Sequence, residues 1–374
     1  MKSESGVALL MVLLVVSLLT AVIVDFSYRT RLDARIAANV RDDLKAENLT
    51  RSAFETSLAV LNRDTLTPDK PASTGAAGAA DAAVSDLLNQ ARREAGGTPG
   101  GAPSANVDSF RDAWAHMENL KIPLQPGESL QVQVSDLSGR IDLNAIITKD
   151  QTGAEKLSQP VFEQLVTLIE NARRAVGEHE KSSDESLSPE EIAYAIADWV
   201  DSDEIRIADG GFEDQYYNSL ADPYSSKNGP FDSVAEVQLV AGIDDRLYAA
   251  IKDALTVYPF TGGGAINPNT APPVVLASLR VRENAAIEAR EPLTGEQIAT
   301  ILAARRDGTV LRSDQELKEL LDLDAAAVFS PALVYGSSYF AVDATAVVNG
   351  TVSRLHAVVD RAGQKPEILY WRVD

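Results

Sequence analysis

Residues 7 to 24, VALLMVLLVVSLLTAVIV, form an unbroken apolar run. As a helix rising about 1.5 Å per residue the run would reach roughly 27 Å, close to the hydrocarbon thickness of a bilayer. It predicts a membrane-spanning segment over 7–24. Polar residues resume at Asp25, yet neither Pro nor Gly interrupts the chain from there to Asn62. Within this stretch Leu32, Ile36, Val40 and Leu44 recur at four-residue spacing, and Phe54, Leu58 and Leu61 follow. That spacing lines one helical face, so the spine helix is predicted to continue, now amphipathic, over 25–63.

The pattern then changes character. Residues 64–107 are dominated by Ala, Gly, Pro and Ser, a composition with too little apolar surface to offset chain entropy, and read as a low-complexity insertion. SLQVQVS at 129–135 alternates with the two-residue period of a half-buried strand, and GRIDLN at 139–144 follows across a turn at 136–139. Together they predict a hairpin within an early strand region, 108–150. Helical spacing returns in VFEQLVTLIENARRAV at 161–176. SPEEIAYAIADWV opens with Ser188 as N-cap, Pro189 in the first turn and Glu191 closing a capping box. Short helices are predicted at 233–240, 246–257, 272–279, 295–305 and 314–321, giving a helical region over 151–332. The chain closes in strands over 333–374. YFAVDATAVV and TVSRLHAVVDR flank Asn349-Gly350, a pair suited to the positive φ of a two-residue hairpin turn, and EILYWRV adds a third strand. The predicted fold class is α+β: a long N-terminal helix, a small antiparallel sheet, and a large inserted helical domain of helix-hairpin-helix or sterile-alpha-motif-like short helices.

Composition narrows the chemistry. A net charge of −21 repels phosphate backbones, so nucleic acid is not expected as a partner. The absence of cysteine removes thiol nucleophiles, disulfides and thiolate metal sites. His116, His179 and His356 are too scattered for a short-range metal pair, and no Ser-His-Asp or His-rich motif supports an enzyme. GGG at 262–264 lacks the Gly-Lys-Ser that would follow in a phosphate loop. Carboxylates crowd one segment: Asp198, Asp201, Asp203, Glu204, Asp209, Glu213 and Asp214, opposed only by Arg206. Such density repels itself unless a cation or water screens it, and hard oxygen ligands suit calcium better than zinc. The segment is no EF-hand, because Ile205 and Arg206 stand where a ligand and the turn glycine belong.

The N-terminus carries a further signal. A short polar leader, MKSESG, sets Gly6 directly before the apolar run, and that run ends in DFSYR rather than in small residues before a cut. This resembles the leader of type IV pilin-like precursors, in which a membrane peptidase cuts after the glycine and the helix is retained. Arg29, Arg31 and Arg35 follow the span while only Lys2 precedes it, so charge asymmetry alone does not favour export; the orientation rests on the leader. The first mature residue would be Val7, where pilins more usually carry phenylalanine or methionine.

Several segments, in order, resemble the protein K family of type II secretion minor pseudopilins: GVALLMVLLVV, DLSGRIDLNAI at 136–146, ADWVDSDE at 197–204 with GGFEDQYY at 210–217, FDSVAEVQLVAGID at 231–244, and INPNTAPPVVLASL at 266–279. Met11 stands at the fifth mature position, where most pilins carry a glutamate that the family also lacks. The resemblance implies a non-enzymatic subunit at the pseudopilus tip. Its partners would be the minor pseudopilins of types I and J, the major pseudopilin, the prepilin peptidase and secreted substrates. It would be anchored once in the inner membrane of a Gram-negative cell, with its bulk in the periplasm. It also implies bound Ca2+ on Asp201, Asp203, Glu213 and Asp214. An alternative is a membrane-anchored helix-hairpin-helix protein for DNA uptake or another periplasmic binding role, which would need a basic patch.

If the leader reading holds, mass analysis of the mature N-terminus will find the chain cut between Gly6 and Val7. An intact Met1, or a cut beyond Val24, would contradict it.

Overall fold

The computed structural model of the protein describes residues 4–65, 107–119, 124–177, 187–259, 264–282, 290–363 and 365–374. The low-complexity insertion expected at 64–107, apart from its ends, lies outside these residues, as do the first three leader residues and His179.

Helix α1, Glu4–Thr65, is continuous, as a stretch without helix breakers after Gly6 permits. It is long and apolar enough to cross a membrane. Its C-terminal part buries Ala46, Thr50, Ala53, Phe54, Ser57 and Leu61. These positions share one helical face, and the small ones let the helix approach a sheet closely. Leu32, Ile36, Val40 and Leu44, in contrast, remain 44–54% exposed.

The sheet has four antiparallel strands in the order β1 (Glu128–Asp136), β2 (Tyr339–Val348), β3 (Thr351–Asp360) and β4 (Glu367–Val373). The β2–β3 turn is Asn349-Gly350, with φ of 49° and 92°. The Asn349 side-chain amide donates to Asp42 of α1 at 3.0 Å, tying turn to spine. One sheet face presents Val132, Val134, Phe340, Val342, Ala344, Leu355, Ala357 and Val359 to α1 and to Trp114. Trp114 meets Phe340 edge-on at 5.2 Å, and Phe54 meets Trp371 at 4.7 Å.

The predicted early hairpin is corrected. β1 pairs along its length with β2, Glu128 opposite Val348 and Asp136 opposite Phe340. Residues 141–142 instead pair in parallel with 255–256. The chain does not fold back after β1 because Asp136 anchors it. Its carboxylate accepts from the Ser138 amide at 2.8 Å and from the Thr270 and Ser337 hydroxyls, each at 2.6 Å, and this turns residues 137–146 into the helical region.

That region is built on α2 (Gln159–Ala175) and α3 (Pro189–Val200). At the start of α3, Ser188 accepts from the Glu191 amide and Glu191 from the Ser188 amide, a complete capping box. Other expected helices are shorter or tighter: 233–240 contains a 3-10 helix, Val234–Leu239, and 246–257 divides into Asp245–Ile251, a 3-10 turn and a strand pair. Short strands at 280–282, 291–292 and 328–330 also pair here. Leu137, Ile141, Ala341 and Val358 join this core to the second face of the sheet.

A buried polar cluster completes the joint. The Asn267 amide donates to Asp136, to Ser337 and to the Asp108 carbonyl. The Ser337 amide donates to Asp108 at 2.6 Å, and Arg361 donates to both Asp108 oxygens at 2.7 and 2.6 Å. Gly139 fits only because it lacks a Cβ, which would lie 2.8 Å from the Thr270 hydroxyl and 2.9 Å from the Ala271 nitrogen.

Because the Arg361 and Asp108 side chains are only 7% and 4% exposed, removing one partner strands a buried charge. Arg361→Ala should cost about 3–5 kcal/mol of stability, and adding Asp108→Asn, which removes the stranded charge and keeps an acceptor for the Ser337 amide, should recover part of it. Thermal and urea melts read the difference; an unchanged melt for Arg361→Ala would contradict this role.

Candidate cation site

Three carboxylates converge where α3 ends. Asp198 lies in the last turn of α3 and Asp201 is its C-cap, two positions three residues apart that share a helical face. Glu213 comes from the N-cap of the short helix Asp214–Tyr217. Asp198, Asp201 and Glu213 each offer an oxygen within 4.8 Å of the others, and all three are buried.

The chain assembles them on an aromatic floor. Trp199 stacks on Phe231 at 6.3 Å and meets Tyr217 edge-on at 5.7 Å and Tyr224 at 6.5 Å. A small hairpin then carries the chain out and back: Ile205 bridges Phe212, the Arg206 amide donates to the Gly211 carbonyl at 2.8 Å, and the Arg206 guanidinium holds Asp209 at 2.5 Å. The hairpin thereby returns Glu213 to the end of α3.

The cluster is only partly satisfied. Asp198 accepts from the Ile207 amide at 2.9 Å, and Glu213 accepts from the Ser226 hydroxyl at 2.9 Å. Among the described residues, Asp201 Oδ1 and Glu213 Oε1 accept no hydrogen bond. The Asn228 amide donates to the Asp203 carbonyl at 2.6 Å, which ties the 226–229 segment to the loop after α3. Burial, with mutual repulsion added, pushes the carboxyls up: Asp201 to about 8, Glu213 to about 7 and Asp198 to about 6. The negative end of the α3 dipole opposes them as well. Three buried acids, two of them with vacant lone pairs, form a hard-oxygen donor set that fits calcium.

The set departs from the one expected. Asp201 and Glu213 are brought together, while the Asp203 side chain is exposed and accepts from the Ile205 amide at 2.7 Å. Asp214 accepts from the Ser226 amide at 2.8 Å, which holds its carboxyl below the usual range. Asp198 takes their place. Its three-residue spacing from Asp201 is a usable signal in the sequence.

The raised values set a sign for pH. Between about pH 4 and 8 the folded cluster holds more protons than the unfolded chain, so its contribution to stability falls as pH rises through the folded values. In chelator, the melting temperature should therefore decline from pH 5 to pH 8, and Asp201→Asn with Glu213→Gln should flatten the decline. Parallel profiles for parent and variant would contradict the assignment.

Comparisons with known proteins reach the same region. A family model described as "Type II secretion system (T2SS), protein K" matches residues 139–260. Type II secretion system protein K of Aeromonas hydrophila is 24% identical over 383 residues, covering 100% of this chain and 98% of that protein. The Pseudomonas aeruginosa protein K is 26% identical over 279 residues, covering 74% of this chain and 68% of that protein. One chain in the crystal structure of the GspK-GspI-GspJ complex from enterotoxigenic Escherichia coli shares the fold, with a TM-score of 0.52 at 18% identity over 92% of this chain and 99% of that one. The chain is thus similar to type II secretion system protein K, by the family model over residues 139–260 and by sequence along its length, and it has an α+β fold.

Proposed function

We propose that the chain is a minor pseudopilin at the tip of the type II secretion pseudopilus, binding other minor pseudopilins of types I and J and helping to start the filament, without catalytic turnover. The observation that carries this is the stripe Leu32, Ile36, Val40 and Leu44. It continues outward from the apolar run of α1 and is covered by no described part of the chain. A helix that leaves such a face open beyond the membrane is suited to packing against similar helices. The E. coli neighbour was crystallised with GspI and GspJ, and partners of those types are assigned here by analogy. Met11, in place of the usual glutamate, suits a subunit with no earlier one above it to engage. Cutting after Gly6, retention in the inner membrane and a periplasmic location of residues 25–374 belong to the same reading.

Calcium is the second part of the proposal. Asp198, Asp201 and Glu213 would hold it, and the ion would supply the positive charge the cluster lacks. The chain's own part is to fix the Asp198 and Asp201 oxygens at the end of α3 and the Glu213 oxygen that the 205–212 hairpin returns there, so binding would lock these together.

Co-expression with candidate minor pseudopilins should yield a complex that survives size exclusion, and Ile36→Asp with Val40→Asp should dissolve it without altering the melting of the remainder. Failure of the parent to associate with any of them would refute the tip role. Calcium should raise the melting temperature more than magnesium does. At one hundred times Kd the gain is about 2.7 kcal/mol, and it should vanish in Asp201→Asn with Glu213→Gln. Equal melts in calcium and chelator would refute the ion.

A further inference from the structure

Where the helical region meets the second face of the sheet lies a cavity of about 340 Å3. This is within the size range, roughly 300–1,000 Å3, of small-ligand sites. Leu137, Val257 and Val358 give it buried apolar walls, and Tyr370 of β4 stands at its rim. Arg140 lines it from the segment that follows β1.

Arg140 is partly buried, and burial pushes its guanidinium below the usual arginine range. Its backbone amide donates to the Leu137 carbonyl at 3.0 Å, but among the described residues its guanidinium makes no hydrogen bond and no ion pair. In a chain with 55 acidic residues this is unexpected, since a desolvated charge is normally answered by a partner. The neighbouring acids are already committed. Asp136 is held by Thr270, Ser337 and Asn267. Asp343 pairs with His356 at 2.7 Å, and Asp232 with Lys227 at 2.8 Å. Asp253, the strongest charge acting on Arg140, lies at the exposed edge of the cavity without reaching it.

We propose that this cavity is a binding site for a carboxylate carried on an apolar group about the size of one aromatic residue, with Arg140 taking the carboxylate. The guanidinium presents paired donors in a planar fork that matches two carboxylate oxygens. The apolar walls take the body of the ligand, and its charge answers the one the fold leaves open. The site is separate from the acid cluster and stands or falls independently of calcium and of the tip role.

Calorimetric titration of the full chain in lipid nanodiscs tests this with N-acetyl-L-phenylalanine and its uncharged amide. The acid should bind saturably and the amide about tenfold more weakly, the margin expected of one charge-assisted contact. Arg140→Gln should erase the preference, while Arg140→Lys should keep part of it. Asp253→Asn leaves the guanidinium in place and removes a competing negative charge, so it should tighten the acid alone. No saturable binding by the parent, equal affinity for acid and amide, a full preference in Arg140→Gln, or unchanged acid affinity in Asp253→Asn would each overturn the proposal. Should Arg140→Gln fail to fold, the parent and Asp253→Asn comparisons decide.

Discussion

The buried carboxylate of Asp136 governs how this chain is put together. It sits at the end of β1, where a short turn could have returned the chain along the same sheet edge. Instead it gathers the Thr270 and Ser337 hydroxyls and the Asn267 amide. A carboxyl so deeply buried is pushed up by desolvation, and only several donors together make its burial tolerable. Those donors come from segments far apart in the chain. Satisfying one acid therefore fixes the start of the helical region, its return to the sheet, and the entry of β2 beside β1. Similar side-chain amides extend the joint: Asn144 bridges Phe231 and Val257, and Asn269 exchanges two bonds with the Leu311 backbone. The segments that carry the family resemblance are, in large part, these ties.

The acid cluster at the end of α3 follows the opposite rule. There, burial is not matched by donors. The helix dipole, the aromatic floor and mutual repulsion of three carboxyls all raise the cost of ionisation, and among the described residues two of their oxygens stay without a partner. The fold spends stability at this point while the Asp136 joint conserves it. A chain that holds such repulsion at one place on well-packed elements is arranged for a cation. Because α3 is pinned by its capping box and by Trp199, the cost cannot be relieved by simple fraying of the helix end.

Local signals in the sequence were read well and distant ones were not. The spine helix needed only an unbroken stretch without Pro or Gly, the β2–β3 turn only Asn349-Gly350, and α3 only Ser188, Pro189 and Glu191. Each depends on neighbours a few residues away. The partner of β1 was missed because the alternation of SLQVQVS says which face is buried but not which strand lies alongside. That choice is made by Asp136 and residues from 267 to 337. At the acid cluster, the density of carboxylates points to the segment from which the fold brings Asp201 and Glu213 together. It could not separate carboxylates turned inward from those spent on local backbone bonds, as Asp203 is on Ile205 and Asp214 on Ser226. Helical spacing from Asp201 favours Asp198.

The central claim is that the unmatched oxygens of Asp201 and Glu213, beside the Asp198 carboxylate, are answered by a bound cation. Terbium, a hard cation that accepts energy from nearby aromatic rings, probes this directly beside Trp199 and Tyr217. Excitation of the tryptophans in the full chain should produce saturable terbium emission that calcium displaces and that Glu213→Gln abolishes. Emission absent from the parent, or retained undiminished in Glu213→Gln, would contradict the account.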